Sequence, residues 1–338
     1  MNAVRLALLG YGTVGRALHS LLERNRAALA AEYGIAFVFS GVASRRMGWM
    51  ANPKGLGSDL AGGVACSNIE TWLATADADV VFEAIALEPH TGQPALGYLA
   101  SALRSGAHAI SANKGPVVHG YRALSALAAR TGCAYKFESA VMDGAPLFSL
   151  VRDSLPLSGL TAVRGVFTST ATVVLEAVER GSTMADGVAH AQALGIAEAD
   201  PSFDVDGWDS AVKLCAVANV LLHADLRPGD VVRTGIGELS DVEIRRARAQ
   251  GAAWRLVGNV RRADDGVVRA HVAPERLTAT DVLGLVSGTT LVTHLAAAMF
   301  PGGLTITSRD PDPTTTAYGM LADFVSVCGS EYADPQPS

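Results

Sequence analysis

The feature that most constrains this chain is a glycine pattern near its start. Gly10-Tyr11-Gly12-Thr13-Val14-Gly15 follows a predicted strand, Val4 to Leu9, and opens a predicted helix, Val14 to Ala31. In this context the first glycine permits a tight turn, the second lets the main chain approach a pyrophosphate, and the third allows the helix to pack closely on the strand. Because a helix N-terminus also attracts phosphate, the pattern predicts dinucleotide contacts by Gly10, Gly12, Thr13, Val14 and Gly15. The alternative is a structural turn without a ligand.

The first third of the chain alternates short β-rich runs with helical stretches, which is typical of a parallel sheet covered by helices. The pattern predicts an α/β fold with a Rossmann-type, doubly wound parallel sheet over residues 1–134. We expect this to be the dinucleotide-binding domain. Its predicted strands are Val4 to Leu9, Ala36 to Val42, Asp79 to Glu83, His108 to Ser111 and Cys133 to Phe137.

The character of the chain changes after about residue 134. A strand leads into amphipathic helices, and two later strands flank turn-forming residues 263–266 as a hairpin. We expect a second, α+β domain over residues 135–307 for substrate binding and dimerisation, with the tail 308–338 returning to the first domain. The predicted elements are the strands Leu160 to Phe167, Ala253 to Arg262 and Val267 to Ala273, and the helices Ala171 to Glu179, Met184 to Leu194, Trp208 to His223 and Thr315 to Val327.

Composition narrows the classes of partner. With 338 residues, 49% of them hydrophobic, the chain has enough apolar material for two packed domains. A net charge of -6 leaves no basic surface for nucleic acid, so a small-molecule substrate is expected instead. No apolar stretch reaches membrane-spanning length, and the four scattered cysteines suit reduced thiols, so we expect no membrane partner and a cytoplasmic location.

The end of the second predicted strand bears on the choice of cofactor. A site specific for NAD usually places an acidic residue there, against the ribose hydroxyls. This chain instead has Ser44 and Arg45, which can accommodate a 2′-phosphate. The pair favours NADP, with NAD possible, although a solvated loop is the alternative.

The densest group of acidic residues precedes a second candidate site. Asp209 and Lys213 are four residues apart on the helix predicted from Trp208, so their side chains share one face. A lysine held near carboxylates on a partly buried helix can polarise a carbonyl oxygen. The alternative is an ordinary surface ion pair.

Lysine is scarce in this chain, which makes its positions informative. Only Lys54, Lys114, Lys136 and Lys213 occur, and arginine supplies the other positive charges. Lys114 follows a predicted parallel strand, where open α/β sheets place their ligands, and can exchange the proton that accompanies hydride transfer. Asn113 beside it is a predicted cofactor contact.

On these residues the sequence resembles homoserine dehydrogenase, in the short form without a C-terminal regulatory domain. The resemblance covers nearly the whole chain. The matching segments are Gly10 to Gly15, Val80 to Glu83, Ser111 to Lys114, Phe137 to Val141 with Gly144 to Pro146, and Ala191 to Lys213.

The resemblance implies roles for particular residues. It implies that Glu198 helps to hold the substrate amino group and that Asp204 and Thr170 are substrate contacts. It implies that Asp209 and Lys213 bind substrate and stabilise the reacting oxygen. It assigns proton transfer to Lys114. It also implies a sodium or potassium ion on backbone carbonyls near Glu138 and Val141.

The resemblance further implies a reaction and an assembly. The reaction is reversible hydride transfer between NAD(P)H and L-aspartate 4-semialdehyde, which yields L-homoserine for threonine and methionine biosynthesis. The assembly is a homodimer formed through the second-domain sheets.

Four segments depart from the family pattern. Thr168-Ser169-Thr170 stands where the family has Asn-Gly-Thr, Ile196 replaces an aromatic residue, and Asp143 replaces the first glycine of a GGxP turn. Residues 308–314 occupy the place of a loop that is glycine-rich in the family, and here they include two prolines and two aspartates. These departures leave open a paralogous NAD(P)-dependent dehydrogenase for another small amino or hydroxy compound, or a non-catalytic NADP-binding sensor.

Overall fold

The computed structural model describes residues 3–197 and 200–329. The chain separates into two compact units, and each is described by itself. Unit 1 comprises Met1–Gly144 and Asp312–Ser338, and unit 2 comprises Ala145–Pro311. Unit 1 therefore extends past residue 134 and includes the last helix of the chain. No helix among the described residues combines the length and apolarity needed to cross a bilayer.

Unit 1 is built on a seven-stranded sheet in the order β4-β3-β2-β1-β5-β6-β7. β1, β2, β5, β6 and β7 run parallel, as predicted. β3 and β4 form an antiparallel extension beyond β2 that the sequence analysis missed. The strands are β1 Val4–Leu9, β2 Phe37–Ser44, β3 Gly48–Ala51, β4 Val64–Cys66, β5 Val80–Glu83, β6 His108–Ser111 and β7 Tyr135–Lys136.

The helices of unit 1 contribute buried apolar residues to its core. The predicted single helix Val14 to Ala31 is wrong, because Asn25 leaves the helical conformation and its side-chain amide donates to the Leu21 carbonyl at 2.8 Å. The leucines still recur at helical spacing, because the two shorter helices on either side of Asn25 pack on the same core. The helices are α1 Thr13–Arg24, α2 Arg26–Tyr33, α3 Ile69–Ala76, α4 Ala95–Arg104, α5 Lys114–Thr131, α6 Ser139–Met142 and, at the end of the chain, α12 Pro313–Cys328.

Unit 2 is an α+β structure with a six-stranded sheet in the order β13-β12-β8-β10-β11-β9. The predicted hairpin is confirmed, since β10 and β11 pair antiparallel across the turn at residues 263–266. β12 and β13, which also pair, were not predicted. The strands are β8 Leu160–Val166, β9 Val232–Arg233, β10 Ala252–Arg262, β11 Val268–Thr278, β12 Leu291–Ala297 and β13 Phe300–Ser308, and the helices are α7 Ser169–Glu179, α8 Met184–Ala193, α9 Ser202–Val205, α10 Trp208–Leu221 and α11 Asp241–Ala249.

The α/β architecture with a second α+β unit is thus confirmed. In unit 1, β1 lies between β2 on one side and β5 on the other, so the strand order reverses direction there. Open α/β sheets bind ligands outside the carboxyl ends of the strands at such a point.

Candidate active site

A cavity of about 610 Å³ opens at the carboxyl ends of β1, β2 and β5 in unit 1. The loops that follow these three strands form most of its wall. The lining residues are Leu9, Gly10, Tyr11, Gly12, Arg16, Ala43, Ser44, Arg45, Arg46, Trp49, Ala84, Ile85, Ala86, Pro94 and Tyr98.

The three glycines of the pattern meet different surroundings. Gly10 has a φ of +105°, and a Cβ on it would lie 2.5 Å from the Ala84 oxygen. A Cβ on Gly15 would lie 2.1 Å from the Gly10 oxygen, so Gly15 is required by the loop itself rather than by helix-on-strand packing. A Cβ on Gly12 would meet no atom within 4 Å. Since Gly12 lines the cavity, its missing side chain leaves room for an occupant.

The first turn of α1 lies beside this loop. Thr13, Val14 and Gly15 are its first three residues, and no described side chain caps the helix at Gly12. The first N–H groups of a helix have no intrahelical partner. They can therefore bind an anion that enters the cavity.

Three arginines line the cavity. Arg45 and Arg46 follow β2 together with Ser44, and Arg16 is on α1; the sequence analysis did not select Arg46 or Arg16. No acidic residue is among the lining residues. This lining suits a phosphate group better than free ribose hydroxyls.

An aromatic wall was also missed. Trp49 on β3 and Tyr98 on α4 both line the cavity, with ring centroids 5.4 Å apart. Trp49 depends on the antiparallel extension, whose short strands carry little sequence signal, so nothing in the local sequence pointed to it.

Asn113 and Lys114 lie at the carboxyl end of β6. Asn113 caps α5, because its Oδ1 accepts from the Gly115 N–H at 3.0 Å, and Lys114 is the first helical residue. Asn113 is buried and also contacts Glu83, which ends β5.

Lys213 and Asp209 form a largely buried ion pair on α10 of unit 2. Lys213 Nζ lies 3.2 Å from Asp209 Oδ2, and the two side chains are only 12% and 11% exposed. Lys213 Nζ also donates to the Phe167 carbonyl at 2.6 Å. Phe167 follows β8, so the ammonium is held at the end of a sheet strand. The pair is therefore not a surface ion pair.

Thr170 joins the same region through α7. Its hydroxyl donates to Asp204 Oδ2 at 2.8 Å and contacts the Ile196 carbonyl at 3.4 Å. Thr170 lies in the first turn of α7, three residues after Phe167, which accepts from Lys213. The structure therefore gathers Asp204, Thr170, Asp209 and Lys213 around the β8–α7 junction.

Two family models match the chain. Residues 146–325 match a model described as homoserine dehydrogenase, and residues 10–138 match one described as the homoserine dehydrogenase NAD binding domain. An NAD(+)-dependent homoserine dehydrogenase of Pseudomonas canavaninivorans is 34% identical over 97% of both chains. A homoserine dehydrogenase of Pseudomonas aeruginosa is 31% identical over 99% of this chain and 75% of its own length. A crystal structure of a homoserine dehydrogenase from Thiobacillus denitrificans gives a TM-score of 0.85 at 27% identity and covers 99% of this chain and 75% of that one.

The chain belongs to the homoserine dehydrogenase family. It is therefore an NAD(P)-dependent oxidoreductase, and a nicotinamide dinucleotide is its cofactor. The cavity of unit 1 fits this cofactor, because it combines an open Gly12, an uncapped helix N-terminus and positive charge.

The departures from the family pattern have local explanations. Ser169 is helical and has no positive φ, so the missing glycine causes no strain there. Asp143 adopts a φ of +48°, a conformation that aspartate tolerates better than most residues. Ile196 contributes its main-chain oxygen to Thr170, which does not depend on the side chain.

The loop at residues 308–314 is explained by the helix that follows it. Asp312 is the N-cap of α12 and accepts from the N–H groups of Thr314 and Thr315 at 2.6 Å and 3.0 Å. Pro313 occupies the first helical position, where its missing N–H has no cost. The acid and the proline therefore start a helix.

The remaining predicted sites are Glu198 and the backbone near Glu138 and Val141. Glu198 lies outside the described residues. Glu138 and Val141 are buried in unit 1, and the Glu138 N–H donates to Asp323 Oδ2 at 2.9 Å. α6, which contains Val141, is a single helical turn, Ser139–Met142.

Proposed function

We propose that this chain catalyses reversible hydride transfer between NAD(P)H and L-aspartate 4-semialdehyde, giving L-homoserine. The observation that carries the proposal is the buried Lys213–Asp209 pair, held at a strand end by the Phe167 carbonyl. A cation in such a place is poised to act on a ligand, whereas a solvated ion pair is not. Bound NAD(P)H supplies the hydride.

Lys213 is proposed to stabilise the reacting oxygen. Its ammonium has three donors, of which one bonds the Phe167 carbonyl. Asp209, at 3.2 Å, attracts the ammonium and directs it. Negative charge that develops on the aldehyde oxygen is then met by a preorganised cation.

Asp204, Thr170 and Glu198 are proposed to recognise the substrate. Carboxylates bind an ammonium group through charge-assisted hydrogen bonds. Thr170 orients Asp204 by donating to one oxygen of its carboxylate at 2.8 Å. Lys114, at the start of α5, is proposed to exchange the proton that accompanies hydride transfer.

NADP is the proposed preferred cofactor. Ser44 and Arg45, with Arg16 and Arg46, line one cavity and suit a 2′-phosphate. The Pseudomonas canavaninivorans relative is named as NAD(+)-dependent, so NAD is the competing candidate. The proposed dinucleotide contacts remain Gly10, Gly12, Thr13, Val14, Gly15 and Asn113.

A sodium or potassium ion and a homodimer complete the proposal. The backbone carbonyls near Glu138 and Val141 would hold the ion, because oxygen ligands suit hard cations. Dimerisation would use the unit 2 sheet, and light scattering on purified protein decides it. A monomer at working concentration contradicts this part of the proposal alone.

The deciding experiment follows NADPH absorbance with L-homoserine and NADP⁺, and then with a panel of other small amino and hydroxy alcohols. Turnover of homoserine that Lys213→Ala abolishes supports the proposal. Turnover of another alcohol, with none of homoserine, favours a paralogous dehydrogenase, the alternative suggested by Thr168 and Ser169, which differ from the family pattern. Tight NADP binding without turnover of any alcohol favours the sensor.

A further inference from the structure

Glu83 is a buried acid to which the proposed reaction gives no role. It ends β5 and is 0% exposed. In the parallel sheet it lies beside Leu9 at the end of β1 and beside Ser111 at the end of β6. It belongs to Val80 to Glu83, one of the segments that carry the family resemblance.

Three donors converge on the Glu83 carboxylate. The Ser111 hydroxyl donates to Oε2 at 2.5 Å, and the main-chain N–H of Ile85 donates to Oε1 at 2.9 Å. The Asn113 side-chain amide donates to Oε1 at 3.4 Å. A carboxylate only accepts hydrogen bonds, so both of its oxygens match the three donors. A glutamine at this position has only one acceptor oxygen, and its NH₂ group would face one of these donors with another donor.

Such an acid is a costly choice for packing alone. Burial raises the pKa of Glu83, and the hydrogen bonds from Ser111, Ile85 and Asn113 act in the opposite direction. Well-packed apolar residues often stabilise a buried position as well as a charged group does. The carboxylate is therefore better explained by what its hydrogen bonds hold in place.

The hydrogen bonds lead from Glu83 to the start of α5. Asn113 Nδ2 bonds Glu83, and Asn113 Oδ1 accepts from the Gly115 N–H at 3.0 Å. The Asn113 N–H donates to the Ser111 hydroxyl oxygen at 3.0 Å, and that hydroxyl in turn bonds Glu83. The carboxylate thus sets which way the Asn113 amide faces, and the amide caps the helix whose first residue is Lys114.

We infer that Glu83 is a positioning residue, which fixes the Asn113 cap and thereby the place of Lys114. The inference rests on the proposed role of Lys114 in proton transfer. Glu83 acts through hydrogen bonds to Ser111 and Asn113, and it does not touch the reacting atoms. Small misplacements of a reacting group cost up to about a hundredfold in rate.

The first test is a kinetic cycle with Glu83→Gln, Lys114→Met and the double variant. Glu83→Gln is expected to lower kcat by at least about tenfold with a smaller change in the KM for homoserine. Because Glu83 acts through Lys114, the double variant is expected to be no slower than Lys114→Met. Losses that multiply in the double variant, or full kcat in Glu83→Gln, would overturn the inference.

The second test needs no turnover. Amide hydrogen exchange at Asn113 and Gly115 is expected to be faster in Glu83→Gln than in the wild type, because both amides depend on the same network. Ser111→Ala removes one donor to the carboxylate and also the acceptor of the Asn113 N–H, so it is read at Gly115 alone, where faster exchange is expected; it serves if Glu83→Gln does not fold. Unchanged exchange in these variants contradicts the inference.

Glu179→Gln is the matched control. Its carboxylate is 5% exposed and pairs with Arg255 at 2.8 Å in unit 2. It should lower the unfolding temperature and leave exchange at Asn113 and Gly115 unchanged. If the wild type does not oxidise homoserine, or Lys114→Met keeps full kcat, the proposed function or the role of Lys114 fails, while the exchange data still decide whether Glu83 holds the cap.

Discussion

Lys213 Nζ donates a 2.6 Å hydrogen bond to the main-chain oxygen of Phe167, the residue that follows β8. The bond ties a helix of unit 2 to the end of a central strand of its sheet. It also keeps a largely buried ammonium in one place before any ligand arrives. Preorganisation of this kind is what electrostatic catalysis requires.

Replacing Lys213 should therefore affect the chemical step. Lys213→Met is expected to lower kcat by about 10²–10³-fold, as for the loss of one donor to a developing oxyanion. Lys213→Arg should not restore it, because the planar guanidinium cannot reproduce the point charge. Steady-state rates with homoserine test this, with the exposed Lys54→Met as the control that should keep the wild-type kcat. A Lys213→Met enzyme with near-normal kcat would contradict the assigned role.

Thr170 should affect substrate binding through Asp204. Thr170→Val keeps the shape but removes the hydroxyl that donates to Asp204 at 2.8 Å. A hydrogen bond to a charged group contributes about 1.5–3 kcal/mol, so the KM for homoserine should rise at least about tenfold. Thr170→Ser retains the hydroxyl and should stay near the wild-type KM. Equal KM values for the valine and serine variants would rule this role out.

Arg45 should distinguish the two cofactors. Arg45→Gln removes a positive charge from the β2 end of the cavity. If a 2′-phosphate binds there, the KM for NADP should rise at least about tenfold, whereas the KM for NAD should not change. Arg24→Gln, at the far end of α1, is the control for a general loss of charge. A parallel rise for both cofactors would show that Arg45 does not read the 2′-phosphate.

The glycine pattern separates folding from binding. Gly15→Ala should lower the unfolding temperature by several degrees, because its Cβ would lie 2.1 Å from the Gly10 oxygen. Gly12→Ala has open space and should keep the wild-type unfolding temperature. It should nevertheless weaken NADP binding at least about tenfold, because the methyl group holds the pyrophosphate away from main-chain donors. Thermal melts and titration with NADP measure both effects, and unchanged binding in Gly12→Ala would place the pyrophosphate elsewhere.

Local physics made part of this structure predictable from sequence. The boundaries of β1 and β6 were predicted residue for residue, since each is a short apolar run between turn formers. α10 was predicted to begin near Trp208, where it does begin, because the residues that initiate a helix are neighbours in sequence. The glycine spacing predicted a dinucleotide-binding turn, because the residues of that turn are also neighbours in sequence. The roles of Gly12 and of the other proposed contacts stay predictions until they are measured.

Tertiary structure decided the rest. β3 is a short strand that forms because it can pair with the edge of β2. The place of Trp49 in the cavity wall could therefore not be predicted from the local sequence. Lys213 is held by the carbonyl of Phe167, 46 residues away in sequence, and two of the three donors to Glu83, Ser111 and Asn113, are 28 and 30 residues away. In a sequence, an i, i+4 spacing of acid and base is the same whether the ion pair is solvated or buried. Only distant segments, brought together by folding, set the exposure and the hydrogen bonds on which the chemistry of these side chains depends.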